Sequence, residues 1–161
     1  MILTSTAVMY ALTYTTVFSV AHIQLSQERF YVAVIMGSAM TIVMLGFMWK
    51  MYPSTVMNAV IVLGAVLLGG LAFVFSQNQW LIGDQAYMRG MIPHHSIAIL
   101  TSNRANIADL RVKKLAHRIS STQVTEIAEM KWLLADIGAK GLATTTTEAN
   151  ARRVPESALQ D

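Results

Sequence analysis

Three stretches of about 20 residues, at 2–21, 30–49 and 55–75, carry no acidic, basic or histidine side chain. Each is long enough to cross a hydrocarbon core of roughly 30 Å as a helix. A backbone in lipid has no water to satisfy its amides, so an all-α reading follows for this half of the chain. The composition agrees, since 54% hydrophobic against 13% charged residues is too apolar for a soluble protein of 161 residues, and the excess lies in the first 75.

The first stretch lacks the basic start of a signal peptide, and Thr4, Ser5, Thr6, Thr13, Thr15 and Thr16 make a poor cleavable core, so it reads as a retained helix. Residues 22–29 and 50–54, the latter containing Pro53, are short enough to make tight hairpins. Phe30, Tyr31, Trp49, Tyr52 and Trp80 fall near the expected interfaces, where amphipathic rings are favoured. Lys50 stands alone in the second loop, while Glu28 and Arg29 cancel in the first. The excess of positive charge on cytoplasmic loops then puts Lys50 and the N-terminus inside, and the His22 loop and everything after residue 75 outside. The expected architecture is a transmembrane domain of three helices over residues 1–76, an antiparallel two-helix hairpin over 80–141, and a disordered tail over 142–161. That tail carries Thr144 to Thr147 and few large apolar side chains.

In the hairpin, Gly83 and Asp84 open a helical pattern that runs to about Arg104. Asp109 is placed to cap a second helix over 110–137, stopped by Gly138 and Gly141. Its apolar stripe is Val112, Leu115, Ile119, Met130, Leu133 and Ile137. Gln123 and Glu126 interrupt that stripe, and a carboxylate on a core seam needs a partner, a hydrogen bond or a metal. The facing helix offers Asp84, Met88, Met91 and His95 at i, i+4, i+7 and i+11. A fold about Asn106 and Ile107 sets Met91 opposite Gln123, Met88 opposite Glu126, Asp84 near Met130 and His95 beside Ile119. Pro93 cannot donate to the Arg89 carbonyl and is expected to kink the first helix. Two thioethers and two imidazoles, from Met88 to His95, form a soft ligand set suited to copper in a chain without cysteine.

The residues from Asp84 through Met91-Ile92-Pro93-His94-His95-Ser96-Ile97-Ala98-Ile99, then Leu115-Ala116, Ile119, Gln123, Glu126-Ile127, Met130 and Trp132-Leu133, resemble the DUF305 family of small helical domains over roughly residues 80 to 138. The match is direct at Met91, His94, His95, Glu126 and Met130, and looser at Asp84 and Gln123. The resemblance implies a ferritin-like helical half-bundle and a link to copper binding outside the cytoplasm. It implies nothing about the first half of the chain.

Together these features point to a binding protein rather than an enzyme. The expected function is a membrane-anchored protein that binds copper in extracytoplasmic storage, delivery or detoxification, seated in a bacterial inner (plasma) membrane. Met88, Met91 and Met130 would supply sulfur and His94 or His95 nitrogen, with Asp84, Gln123 and Glu126 as oxygen ligands or supports. Expected partners are the bilayer, a metal donor or acceptor protein, and a second copy of the chain, because two helices alone bury little core. Two other readings stand beside it: an assembly subunit whose histidines merely pack, and a ferritin-like oxidoreductase, although the chain has no Glu-x-x-His. The net charge of +3 comes without aromatic interleaving, so a solvated helix face is the reading and nucleic acid is not. Met36, Met40, Met44 and Met48 recur every four residues along the middle stretch, where packing is the simpler role.

Overall fold

The computed structural model describes residues 1–159, and among them it is all-α, with six helices and no sheet. The chain divides into two compact units: Met1–Thr15 with Ser26–Ile82, and Thr16–Leu25 with the chain from Gly83 onward.

The first unit contains α1 (Ile2–Leu12), α2 (Gln27–Phe47) and α3 (Thr55–Asn78). Ser26 and Ser54 cap α2 and α3, their hydroxyls accepting from Arg29 N and Met57 N. At 1.5 Å per residue these two helices reach about 32 and 36 Å, and both are long and apolar enough to cross a membrane. The expected helix over 2–21 is not one helix. It stops at Leu12 and continues as a 3-10 turn over Thr13–Thr16. The threonines account for the break: Thr13 Oγ1 donates to the Tyr10 carbonyl at 2.7 Å and Thr15 Oγ1 to the Leu12 carbonyl at 2.8 Å, competing with the helical ladder. Arg29 then closes the corner by donating to the Thr13 carbonyl and lying 4.6 Å from the centre of the Tyr14 ring.

Small residues let these helices approach. Ala33, Gly37 and Ser38 on α2 and Ala65 and Ala72 on α3 are buried, and a Cβ on Gly69 would stand 2.8 Å from that of Ser38. Most of the large side chains face away, Leu45 on α2 excepted. Val60, Leu63, Val66, Leu67, Leu68, Leu71 and Phe73 are all exposed on α3.

The second unit is built on α4 (Asp84–Arg104) and α5 (Leu110–Lys140), an antiparallel pair. Asp109 caps α5 as expected, accepting from Arg111 N at 2.8 Å. The helix runs past Gly138 and ends at Gly141, whose φ of +76° is open to glycine at little cost. Pro93 is buried inside α4, which stays helical through it. The core joins Met88, Ile92 and Ile99 to Ile127 and Met130, with Met91, Leu133, Leu134 and Ile137 packed around them. The expected stripe on α5 is therefore only half correct. Val112, Leu115 and Ile119 are exposed, and the buried positions of that half are Ala116 and Ser120.

The tail expected to be disordered is structured up to residue 159, and its last two residues lie outside the described residues. Thr145 and Glu148 form a reciprocal capping box that starts α6 (Thr146–Ala151), and a 3-10 turn over Glu156–Leu159 packs on α5. Arg152 is the clamp: its Nε donates to Asp136 Oδ2 at 2.8 Å and its Nη2 to the Gly141 carbonyl at 2.9 Å. Lys140 pairs with the other oxygen of Asp136, also at 2.8 Å. Hydrogen bonds from Lys140 and then Arg152 hold the Asp136 carboxyl below the ordinary aspartate range. A depressed carboxylate stabilises at neutral pH and loses that contribution as pH falls through its folded value, below that of a free aspartate.

Two outcomes follow. In thermal unfolding of the full chain in detergent, Ile92→Ala should cost about 2–5 kcal/mol, because Ile92 is wholly buried, whereas Leu115→Ala on the exposed face should cost well under half of that. Arg152→Ala should raise hydrogen exchange in residues 146–159 at pH 7 and leave α4 unchanged. Protection of those residues in the unmodified chain should fade only in strong acid.

Candidate metal-binding groove

Side chains on a helix lean toward its N-terminus, so two residues on antiparallel helices meet about one turn before each of their Cα positions. This rule sets the centre of the hairpin seam. The ring of His95 leans back over Met91 and its Nδ1 lies 2.9 Å from the Met91 carbonyl oxygen. Glu126 leans toward Gln123, whose Nε2 donates to Glu126 Oε2 at 3.1 Å. The two side chains then touch, His95 Nε2 lying 2.8 Å from Glu126 Oε2. His95 is thus paired with Glu126, where the expected fold about Asn106 and Ile107 had set it beside Ile119. What the sequence reading left out was the lean of the side chains.

Both ring nitrogens of His95 face oxygen acceptors, so only the doubly protonated ring donates to both. The imidazole is 12% exposed and the carboxylate 43%. With one partner so open to water, the pair is worth on the order of 1 kcal/mol or less. It orients more than it stabilises.

This pair helps to line an open groove of about 410 Å³ whose lining includes Asp84, Met88, Met91, His95, Glu126 and Met130. Six of the eight residues singled out in the sequence therefore meet at one place, and Gln123 supports it through Glu126. His94 does not join them. It is exposed, and its ring centre is 6.0 Å from that of His95 at an interplanar angle of 64°. A step of about 100° per residue separates neighbours, and here it turns His94 out to solvent while His95 faces the groove. Asp84 is exposed in the first turn of α4, where a carboxylate also complements the helix dipole.

Tyr87, Glu129, Leu133 and Ile137 complete the lining. Tyr87 and Glu129 were not anticipated, although the signal was available: Tyr87 is four residues before Met91, and Glu129 three after Glu126. Among the described residues, no three His, Asp or Glu side chains come together as a metal-binding group. A hard-ion cage of oxygen and nitrogen is not assembled here, and the sulfur of Met88, Met91 and Met130 is what the groove adds. Met88 and Met130 are nearly buried, at 6% and 9%, whereas Met91 is half-buried. In the other unit, Met44 and Met48 line a separate small cavity with Met1.

Residues 84–160 match the family model described as a domain of unknown function, DUF305. The chain is also 33% identical over 120 residues to an uncharacterized protein of Acanthamoeba polyphaga mimivirus, covering 72% of this chain and 76% of that one. That share exceeds what the chain from Asp84 onward can supply, so the likeness reaches into the apolar half. No solved structure matches significantly. The seam of α4 and α5, the motif that lines it and this likeness lead to one statement of kinship: the chain belongs to the DUF305 family, with its DUF305 domain at residues 84–160.

Proposed function

We propose that this protein is a membrane-anchored binder of copper(I), with the groove between α4 and α5 as its site and extracytoplasmic storage, delivery or detoxification as its role. The observation that carries this reading is the meeting of the His95 imidazole with the Met88, Met91 and Met130 thioethers on one open groove. Thioether sulfur and imidazole nitrogen together favour copper(I) over zinc, for which methionine is a poor ligand. The residues fit such an ion. The Met91 carbonyl takes the Nδ1 proton and so assigns Nε2 to a metal, with the carboxylate of Glu126 displaced or retained as a support. Glu126 is exposed enough to move. Binding is the chemistry that these groups supply, and copper is here the cargo. The competing view, an assembly subunit in which Met88 and Met130 only fill the core, draws on their burial.

The anchor reading draws on the exposed apolar faces of α2 and α3, which in water would form a far larger patch than a monomeric protein tolerates. α3 alone separates Lys50 from α4, so a cytoplasmic Lys50 sets the DUF305 domain outside. Exposure of Val112, Leu115 and Ile119 leaves an apolar strip on α5 that a second copy of the hairpin would cover in a four-helix arrangement.

Replacing Met88 and Met91 together with leucine keeps the core volume within about 1.5 kcal/mol of stability and removes two sulfurs. Chelator competition should then show copper(I) affinity at least tenfold weaker, about 1.4 kcal/mol, with zinc binding weak in both proteins. An unchanged copper affinity would favour the assembly reading. Because the chain has no cysteine, single cysteines report topology: one at Ala143 should react with a membrane-impermeant thiol reagent in intact cells, and one at Met51 should not. The reverse labelling pattern would invert the orientation.

A further inference from the structure

Ser96 follows His95 on α4 and faces another way. Its side chain is wholly buried, at 0% exposure. The hydroxyl oxygen accepts from Phe18 N at 2.7 Å and lies 2.9 Å from His22 Nδ1. A hydroxyl has two lone pairs and one proton, so with the Phe18 amide on one lone pair the serine can still give its proton to the imidazole; in that tautomer His22 Nδ1 accepts and the ring's own proton sits on Nε2. A cavity of about 350 Å³ adjoins this ring, lined also by Val124, Ile127, Ala128, Lys131, Trp132 and Ala158. Among the described residues Lys131 makes no ion pair, and its charge is felt at His22. Burial, and then the Lys131 charge, push the His22 pKa below its usual value, so the ring is neutral at pH 7.

We propose that this second cavity binds a monocarboxylate with an apolar body, its carboxylate held by His22 Nε2–H and the Lys131 ammonium and its hydrocarbon part laid against Val124, Ile127 and Trp132. Three features converge on that class. The polar groups are one neutral donor and one cation, and among the described residues no acidic side chain lines the cavity, which suits a single negative charge. The rest of the wall is aliphatic or aromatic, which suits an apolar body. Finally, a fully buried serine fixes the donor before any ligand arrives, a pre-organisation that lowers the cost of binding. Ala158 belongs to the C-terminal 3-10 turn, so the folded tail supplies part of the wall.

The test uses the full chain in phosphatidylcholine nanodiscs, with Trp49 and Trp80 replaced by phenylalanine so that Trp132 is the single fluorescent reporter. Octanoate should change Trp132 emission saturably, and acetate, which lacks the apolar body, should bind at least 100-fold more weakly. Lys131→Gln and His22→Gln should each weaken octanoate at least tenfold, and Ala128→Phe should abolish the response by filling the cavity. Lys131 is exposed and its replacement leaves the fold intact, so that variant decides the matter even if His22→Gln unfolds. Octanoate binding that Lys131→Gln leaves unchanged would overturn the proposal, as would octanol binding as tightly as octanoate. Octyl phosphate binding more tightly than octanoate would also overturn it, by assigning the cavity to a phosphate.

Discussion

Two antiparallel helices share one seam, and in the DUF305 domain the buried apolar cluster lies along it. Ile92 and Ile99 meet Ile127 along it and supply the apolar contact that holds α4 to α5. The polar members of the seam are admitted only because each has a partner at hydrogen-bond distance: His95 with the Met91 carbonyl and Glu126, and Glu126 with Gln123. A net gain of about 1 kcal/mol per hydrogen bond is small beside the burial of several aliphatic side chains. The cost of leaving any one of them buried and unpaired is not. The polar chain therefore fixes where the helices align, while the isoleucines fix that they associate.

The methionines sit on the boundary between those two roles. Met88 and Met130 are buried enough to count as core, yet both reach the groove, and Met91 is open to it. A flexible thioether can do both, since it packs like leucine and keeps a polarizable atom for a ligand. The first unit shows the opposite economy. Most of its buried positions are small, with Ala33, Gly37 and Ser38 on α2 and Ala65 and Ala72 on α3, and apart from Leu45 most of its bulky aliphatic side chains are turned outward. Close backbone contact inside and large apolar side chains outside is the pattern of helices packed in lipid. In water the hydrophobic effect would turn it inside out.

Much of this was legible from residue order alone. The two long apolar helices, the Asp109 cap and the convergence of Asp84, Met88, Met91, His95, Glu126 and Met130 all follow from period and spacing. The failures have separate causes. Hydropathy read residues 2–21 as one helix, because the scale does not register that Thr13 and Thr15 hydroxyls bond back to carbonyls three residues earlier. Composition read the tail as disordered, because one arginine reaching Asp136 across the chain leaves no local trace. The histidine pair was treated as one feature, although a helix sends adjacent residues in different directions and only His95 enters the groove. On α5 the apolar period continued through Val112, Leu115 and Ile119, but α4 offers those positions no cover within one chain.

The divergence between neighbours has a mechanical consequence at α4. His95 and Ser96 are consecutive, yet the first is fastened to α5 through Glu126 and the second to the segment Thr16–Leu25 through His22 and Phe18. Between them and Met91 lies Pro93, which leaves the Arg89 carbonyl without its helical donor. An uninterrupted hydrogen-bond ladder would resist small local adjustments of the helix. Here the missing bond falls next to the residues that fasten two sides of the domain, so a slight bend at Pro93 would move His95 against Glu126 and Ser96 against His22 together. Ile92 and Pro93 are both fully buried, which limits that movement to what close packing permits. Any coupling between the two sides of α4 would therefore be confined to about one turn of helix.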